Sequence, residues 1–109
     1  MSNRDDNILL ADIMVAIEKI ERYTTGYNKD RFLADERTID AVVRNLEIVG
    51  EAVRHLSDTF KQDHEKIPWH QMAGLRNRIV HDYFGVDLDI IWHVLANDLP
   101  AVKLQLLSL

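Results

Sequence analysis

The stretch Thr38–Phe60, TIDAVVRNLEIVGEAVRHLSDTF, decides the fold. Its residues Ile39, Val42, Leu46, Val49, Val53, Leu56 and Phe60 recur at alternating spacings of three and four, which draws a single apolar stripe along an α-helix. An unbroken helix over this span is about 35 Å long at 1.5 Å per residue. Other helices must cover a stripe of that length. Gly50 sits inside the pattern without breaking it. A mid-helix glycine costs roughly 1 kcal/mol against alanine, so close approach of another backbone is expected there.

Reading outward, Leu9, Ile13, Ala16, Ile20 and Tyr23 mark an earlier helix from Asp5 to Thr24, capped by Asp5 or Asp6 and stopped by Gly26. Asn28 to Ala34 has room for one further turn, with Phe32 and Leu33 as anchors. Ser57 to Lys66 is polar and reads as a helix end and a loop. Pro68 then suits the first turn of a helix through Trp69, Met72, Ala73, Leu75 and Ile79, with Asp82-Tyr83-Phe84-Gly85 as its exit. Asp87 can cap a last region striped by Leu88, Ile91, Leu95, Leu99, Val102 and Leu106, which Pro100 should kink or divide near Asn97-Asp98. The expected architecture is all-α: one domain over 1–109, an antiparallel bundle of four to five helices.

Composition narrows the function. With 109 residues, 47% apolar and 28% charged, the chain can bury a core, so a disordered adaptor is not expected. The absence of cysteine removes disulfides, Cys-ligated zinc, iron–sulfur clusters and thiol nucleophiles. Met1 to Asp6 is polar, and Asp12 and Glu18 interrupt the next apolar stretch, so neither export nor a membrane span is expected and the location reads as cytoplasmic. A formal charge of −5 argues against broad nucleic-acid binding but leaves room for a small basic site.

Most of the chain carries no catalytic signature. The glycines are scattered, so no phosphate-cradling loop exists. His64 and His70 flank Pro68, which prevents display on one helical face, so that segment reads as a solvated loop and not a metal site. His55 and His93 lie on ordinary amphipathic helices. One stretch differs: Arg76-Asn77-Arg78-Ile79-Val80-His81-Asp82-Tyr83 gathers two guanidiniums, an imidazole, a phenol and an amide. Arginine braces phosphate oxygens bidentately and histidine moves protons near neutral pH, so the group suits a phosphodiester. Composition alone favours a plainer reading, a helix end with His81 near its carbonyl terminus.

Spacing adds a constraint. Five positions at 100° each place Arg76 and His81 roughly 140° apart around a straight helix, too far to converge on one ligand. Arg76 and Tyr83, seven apart, share a face. Either the helix ends before His81 and the chain folds back, or a second subunit completes the site. RNA transesterification wants a base at the 2′-hydroxyl and an acid at the leaving 5′-oxygen, and this stretch has one histidine. A two-fold homodimer would bring two copies of His81 and of Arg76 about one axis, with no metal or other cofactor.

Arg76-(four residues)-His81-Asp82-Tyr83 resembles the Arg-x4-His-x-Tyr signature of HepT toxins in the HEPN superfamily. Pro68-Trp69 entering Arg76-Asn77-Arg78, Tyr83-Phe84-Gly85-Val86-Asp87 leading to Trp92, and Asn45-Leu46-Glu47-Ile48-Val49-Gly50-Glu51-Ala52 are similar to that family in order and spacing. The resemblance implies a homodimeric, metal-independent endoribonuclease of a toxin–antitoxin module, with Arg76 and His81 catalytic in a cleft at the dimer interface and Asn77 in support. It also implies that Tyr83 is the tyrosine to which a minimal nucleotidyltransferase antitoxin transfers AMP, silencing the toxin. The substrate would be cellular RNA, such as tRNA or mRNA. Two supporting residues stay open: Glu51 either orients Arg76 or faces solvent, and Arg78 either grips RNA or pairs with Asp82. The rival reading is a non-catalytic helical dimer that binds a nucleotide or a protein in the same cleft.

Overall fold

A computed structural model describes the backbone of residues 5–82 and 88–109, and all of their side chains except those of 76–82. The described residues form seven α-helices and no strand: α1 (Asp6–Thr24), α2 (Lys29–Leu33), α3 (Glu36–His55), α4 (Asp58–Asp63), α5 (Trp69–Asp82), α6 (Leu88–His93) and α7 (Leu99–Leu107). A π-helical turn, Val94–Asp98, joins α6 to α7. None of these helices is long and apolar enough to cross a membrane.

The long central helix is α3, whose inner face packs extensively against both α1 and α5. Val42, Leu46, Val49 and Val53 on that face are at most 1% exposed, and Gly50 is buried among them. From α1 they meet a face built on Leu9, Ile13, Ala16, Ile17 and Ile20. Two of the expected anchors lie outside the core. Tyr23 is 38% exposed because it falls at the rim of α1's buried arc, in its last turn, and Ile17 takes the inner place. Leu33 is 37% exposed, so Phe32, fully buried, anchors α2 alone.

Polar bonds at the two ends of the α1–α3 pair fix its antiparallel course. After α1, Gly26 turns the chain with a φ of +78°, in the left-handed region where glycine has no steric penalty. Tyr27 then donates its hydroxyl proton to the Asp35 carboxylate, which caps α3 by accepting from the backbone N–H and the hydroxyl of Thr38. At the other end, Asp5 caps α1 through the N–H of Asn7, while Asp6 reaches across to Ser57, two residues past the end of α3. Its carboxylate accepts the Ser57 N–H at 2.9 Å and the Ser57 hydroxyl at 2.7 Å.

That contact marks where the structure departs from the sequence reading. The Thr38–Phe60 stripe is not one helix. At Leu56 the backbone is extended (φ −63°, ψ 143°), and Ser57 starts α4 by accepting the Phe60 N–H at 3.2 Å. Leu56 nevertheless remains buried, and the Phe60 ring packs 5.9 Å from that of Trp69. Both apolar residues thus stay on the core side through the corner, and the corner leaves no mark in their spacing. The helix is therefore about 30 Å long.

Pro100 divides the last region near the expected place. It has no N–H to give, and the preceding ladder widens so that the Leu99 N–H bonds the Val94 carbonyl five residues back. Ile91, Leu95, Leu99, Val102 and Leu106 stay buried across the change of pitch. Pro68 sits one residue earlier than expected, just before α5, with its carbonyl accepting the Met72 N–H.

Hydrogen bonds from Ser57 hold the Asp6 carboxyl below the usual carboxylate range. A group with a lowered folded-state pKa contributes stability above its unfolded value and loses it as pH falls through the folded value. Asp6→Ala should therefore cost about 1 kcal/mol in urea denaturation at pH 7, and the difference from the parent should shrink below about pH 4. Gly74, mid-way along α5, is exposed, and a Cβ added there meets nothing within 4 Å. Gly74→Ala should raise stability by about 0.5–1 kcal/mol, seen as a higher thermal midpoint.

Candidate active site

The start of α5 is held firmly. The Trp69 indole N–H donates to the His64 carbonyl at 3.0 Å, its ring is 7% exposed, and Met72 one turn on is 3% exposed. His64 itself packs its ring 4.7 Å from Phe60, a core-edge role in place of a solvated one. Among the described residues no group of three or more His, Asp or Glu side chains stands close enough to hold a metal ion. From this anchor α5 carries Arg76, Asn77, Arg78 and His81 in one continuous helix to Asp82.

That continuity overturns one of the two routes to convergence. The helix does not end before His81, so the chain does not fold back to bring His81 to Arg76 within this copy. The two residues are five helical positions apart, about 7.5 Å along the axis and 140° around it. Arg78 and Asp82 lie four apart in the same helix, the spacing of a helical ion pair. The side chains of 76–82 and the whole of Tyr83 lie outside the described residues.

Glu51 lies on α3, outside the arc of its buried residues, with its side chain 47% exposed. Oε1 is 3.1 Å from His55 Nε2, and Arg54 stands 4.0 Å from Oε2, an oxygen shielded from solvent. It thus has an arginine and a histidine as neighbours on its own helix, one turn along. A narrow groove runs beside the first half of α5, with Met72 and Leu75 facing Val94, Leu99 and Val102 and with Gln71, Asp98 and Gln105 on its rim.

Sequence reading missed the link between α2 and α6. Lys29 Nζ lies 2.9 Å from Asp89 Oδ1, and the Phe32 and Trp92 rings are 5.4 Å apart at 38°. No local pattern signals pairs so far apart in the chain.

Comparison with known proteins agrees with this layout. The sequence matches the family described as "Ribonuclease HepT-like" over residues 13–109, which takes in α3, α5 and the last helices. It is 44% identical over 94 residues to "Probable ribonuclease HepT" of Thermococcus cleftensis, covering 86% of each chain. It is 38% identical over 100 residues to "Putative RNase MJ0127" of Methanocaldococcus jannaschii, covering 92% of this chain and 83% of that one. A third relative, "Gamma-glutamylcyclotransferase and putative RNase MJ0434" of the same organism, is 38% identical over 106 residues, which span 97% of this chain and 48% of that longer one. No solved structure matches the chain. A match running from within α1 to the last residue, together with a relative this similar over most of both lengths, establishes that the chain belongs to the HepT-like ribonuclease family.

Proposed function

We propose that this protein is a metal-independent endoribonuclease toxin that works as a two-fold homodimer in the cytoplasm. The observation that carries the reading is α5 running unbroken through both Arg76 and His81. On one helix the pair cannot close on a single phosphate, whereas two such helices about an axis supply two imidazoles and two guanidiniums to one cleft. Family membership supports RNA as the substrate.

In this mechanism one His81 takes the proton of the 2′-hydroxyl, and the 2′-oxygen attacks phosphorus. The bond from phosphorus to the 5′-oxygen breaks as the other His81 protonates the leaving oxygen. Arg76 braces the non-bridging oxygens through the charged transition state, with Asn77 in support. The products are a 2′,3′-cyclic phosphate and a 5′-hydroxyl. Glu51 and Arg78 act by positioning Arg76 and the RNA backbone. Silencing follows from the same electrostatics: a nucleotidyltransferase antitoxin moves AMP from ATP to the Tyr83 hydroxyl, releasing pyrophosphate, and the added negative charge beside Arg76 and His81 repels RNA.

Labelled RNA incubated in EDTA tests the reading. The parent protein should leave 2′,3′-cyclic phosphate ends, and Arg76→Ala or His81→Ala should each lower the rate by about 10²-fold or more. A fold-intact protein that binds RNA, nucleotide or protein but cleaves nothing would make it a binding module. Mixing tests the shared site: after exchange of equal parts parent and His81→Ala chains, about a quarter of dimers keep both histidines, against half of the sites if each copy acts alone. With ATP and the antitoxin, the parent should gain the mass of AMP, and Tyr83→Phe should not.

A further inference from the structure

We infer that the outward face of α7, with the groove it shares with α5, is the seam at which a second copy of this chain docks. Residues 99–109 hold one charged side chain, Lys103. Leu99, Val102 and Leu106 turn into the bundle, whereas Leu104 and Leu107 on the opposite side are 71% and 63% exposed. A helix apolar on all sides is ordinarily covered on all sides. The exposure is built in, because polar ties fix how α7 is rolled. On one flank Lys103 Nζ donates to the Glu21 carboxylate at 2.7 Å, and on the other Gln105 Nε2 donates to the Lys66 carbonyl at 3.2 Å. Residues 103 and 105 stand about 100° to either side of 104, so the two ties together hold Leu104 outward.

One turn before Leu104, Ala101 lines the groove, a cavity of about 320 Å³ whose walls include Met72, Leu75, Leu99 and Val102. Protruding leucines and an apolar hollow therefore lie side by side, with Gln71, Asp98 and Gln105 as a polar rim. Charge selects the occupant. The chain carries −5 overall, so two copies repel wherever their charged surfaces meet. The α7 face is where that repulsion is weakest, since its lone cation is already paired with Glu21. It offers no charge for an acidic or basic partner to read, and it matches its own kind. About a two-fold axis beside α7, each copy's Leu104 enters the other's groove. The groove is walled by α5, so a copy seated there lies against the helix that the proposed chemistry needs twice. The need for two copies rests on the proposed function; the place of the seam rests on α7 and the groove.

Sedimentation velocity of the full chain, with no RNA present, tests the seam. The parent should be a dimer at micromolar concentration. Leu104→Glu puts a charge where an apolar side chain is covered, and should weaken the dimer about a hundredfold with the helical circular dichroism unchanged. Val15→Glu, at a site 50% exposed on α1, should leave it within about threefold of the parent. The chain has no cysteine, so single thiols report position cleanly. A short bismaleimide should join Leu104→Cys chains to Gln71→Cys chains and should join Val15→Cys chains to neither. A monomeric parent, a dimer that survives Leu104→Glu, or one that Val15→Glu breaks instead would overturn the seam. Cleavage of labelled RNA by Leu104→Glu separates the two readings. Activity lost in dilute protein and regained in concentrated protein supports both, whereas full activity of dissociated chains leaves the seam and removes the two-copy mechanism. If the parent cleaves no RNA, sedimentation and crosslinking still decide where the copies meet.

Discussion

Burial of the inner face of α3 is the constraint on which the rest of the bundle depends. Val42, Leu46, Val49 and Val53 lose essentially all contact with water, and each such side chain contributes about 1.5–3 kcal/mol of transfer free energy. Among the described residues, α1 and α5 pack extensively on α3 but not on each other. The helix that carries Arg76 and His81 is therefore positioned through α3. Apolar burial is non-directional, and the direction comes from polar contacts at the ends. Asp6 with Ser57 at one end, and Tyr27 with Asp35 at the other, leave α1 and α3 a single antiparallel course.

Helical geometry then sets a limit on chemistry. A rigid α5 holds its residues at fixed angles, so the residues best suited to phosphate chemistry are spread around it instead of gathered on one side. A folded-back loop would solve this within one copy, and the helix excludes that route by continuing to Asp82. Under the proposed function, the same rigidity becomes useful once a second copy supplies the missing angle. On that same proposal an acidic chain can act on RNA, because its basic groups count where two copies bring them together and the remaining surface discourages loose binding.

Particular residues show how far the sequence could be read. Ile39 through Leu56 announce their burial by spacing, and Pro100 announces a fault in the last helix because it lacks an N–H. The motif residues were legible as a group of chemically suited side chains, and their angular separation followed from helical pitch. The end of α3 was not legible. Leu56 and Phe60 face the core on both sides of the corner, so a spacing pattern cannot register that the chain has turned. Tyr23 and Leu33 belong to the right stripes, but a stripe does not say how far its cover extends. The contact of Phe32 with Trp92 has no local trace, since it depends on where α6 is laid down.

By itself, the sequence determined that the chain is a helical bundle with one central helix, and it singled out Arg76 to Tyr83 as the stretch suited to phosphate chemistry. Periodicity and residue type are local properties, written in the order of residues. Only the tertiary structure decided that α3 stops at His55, that α5 continues to Asp82, and that α2 anchors α6. Each of these depends on a partner brought from far along the chain or on the continuity of a hydrogen-bond ladder. Ser57 ends the α3 stripe with Asp6 as its partner, and Trp92 is fixed by a ring that reaches it only after the chain has folded.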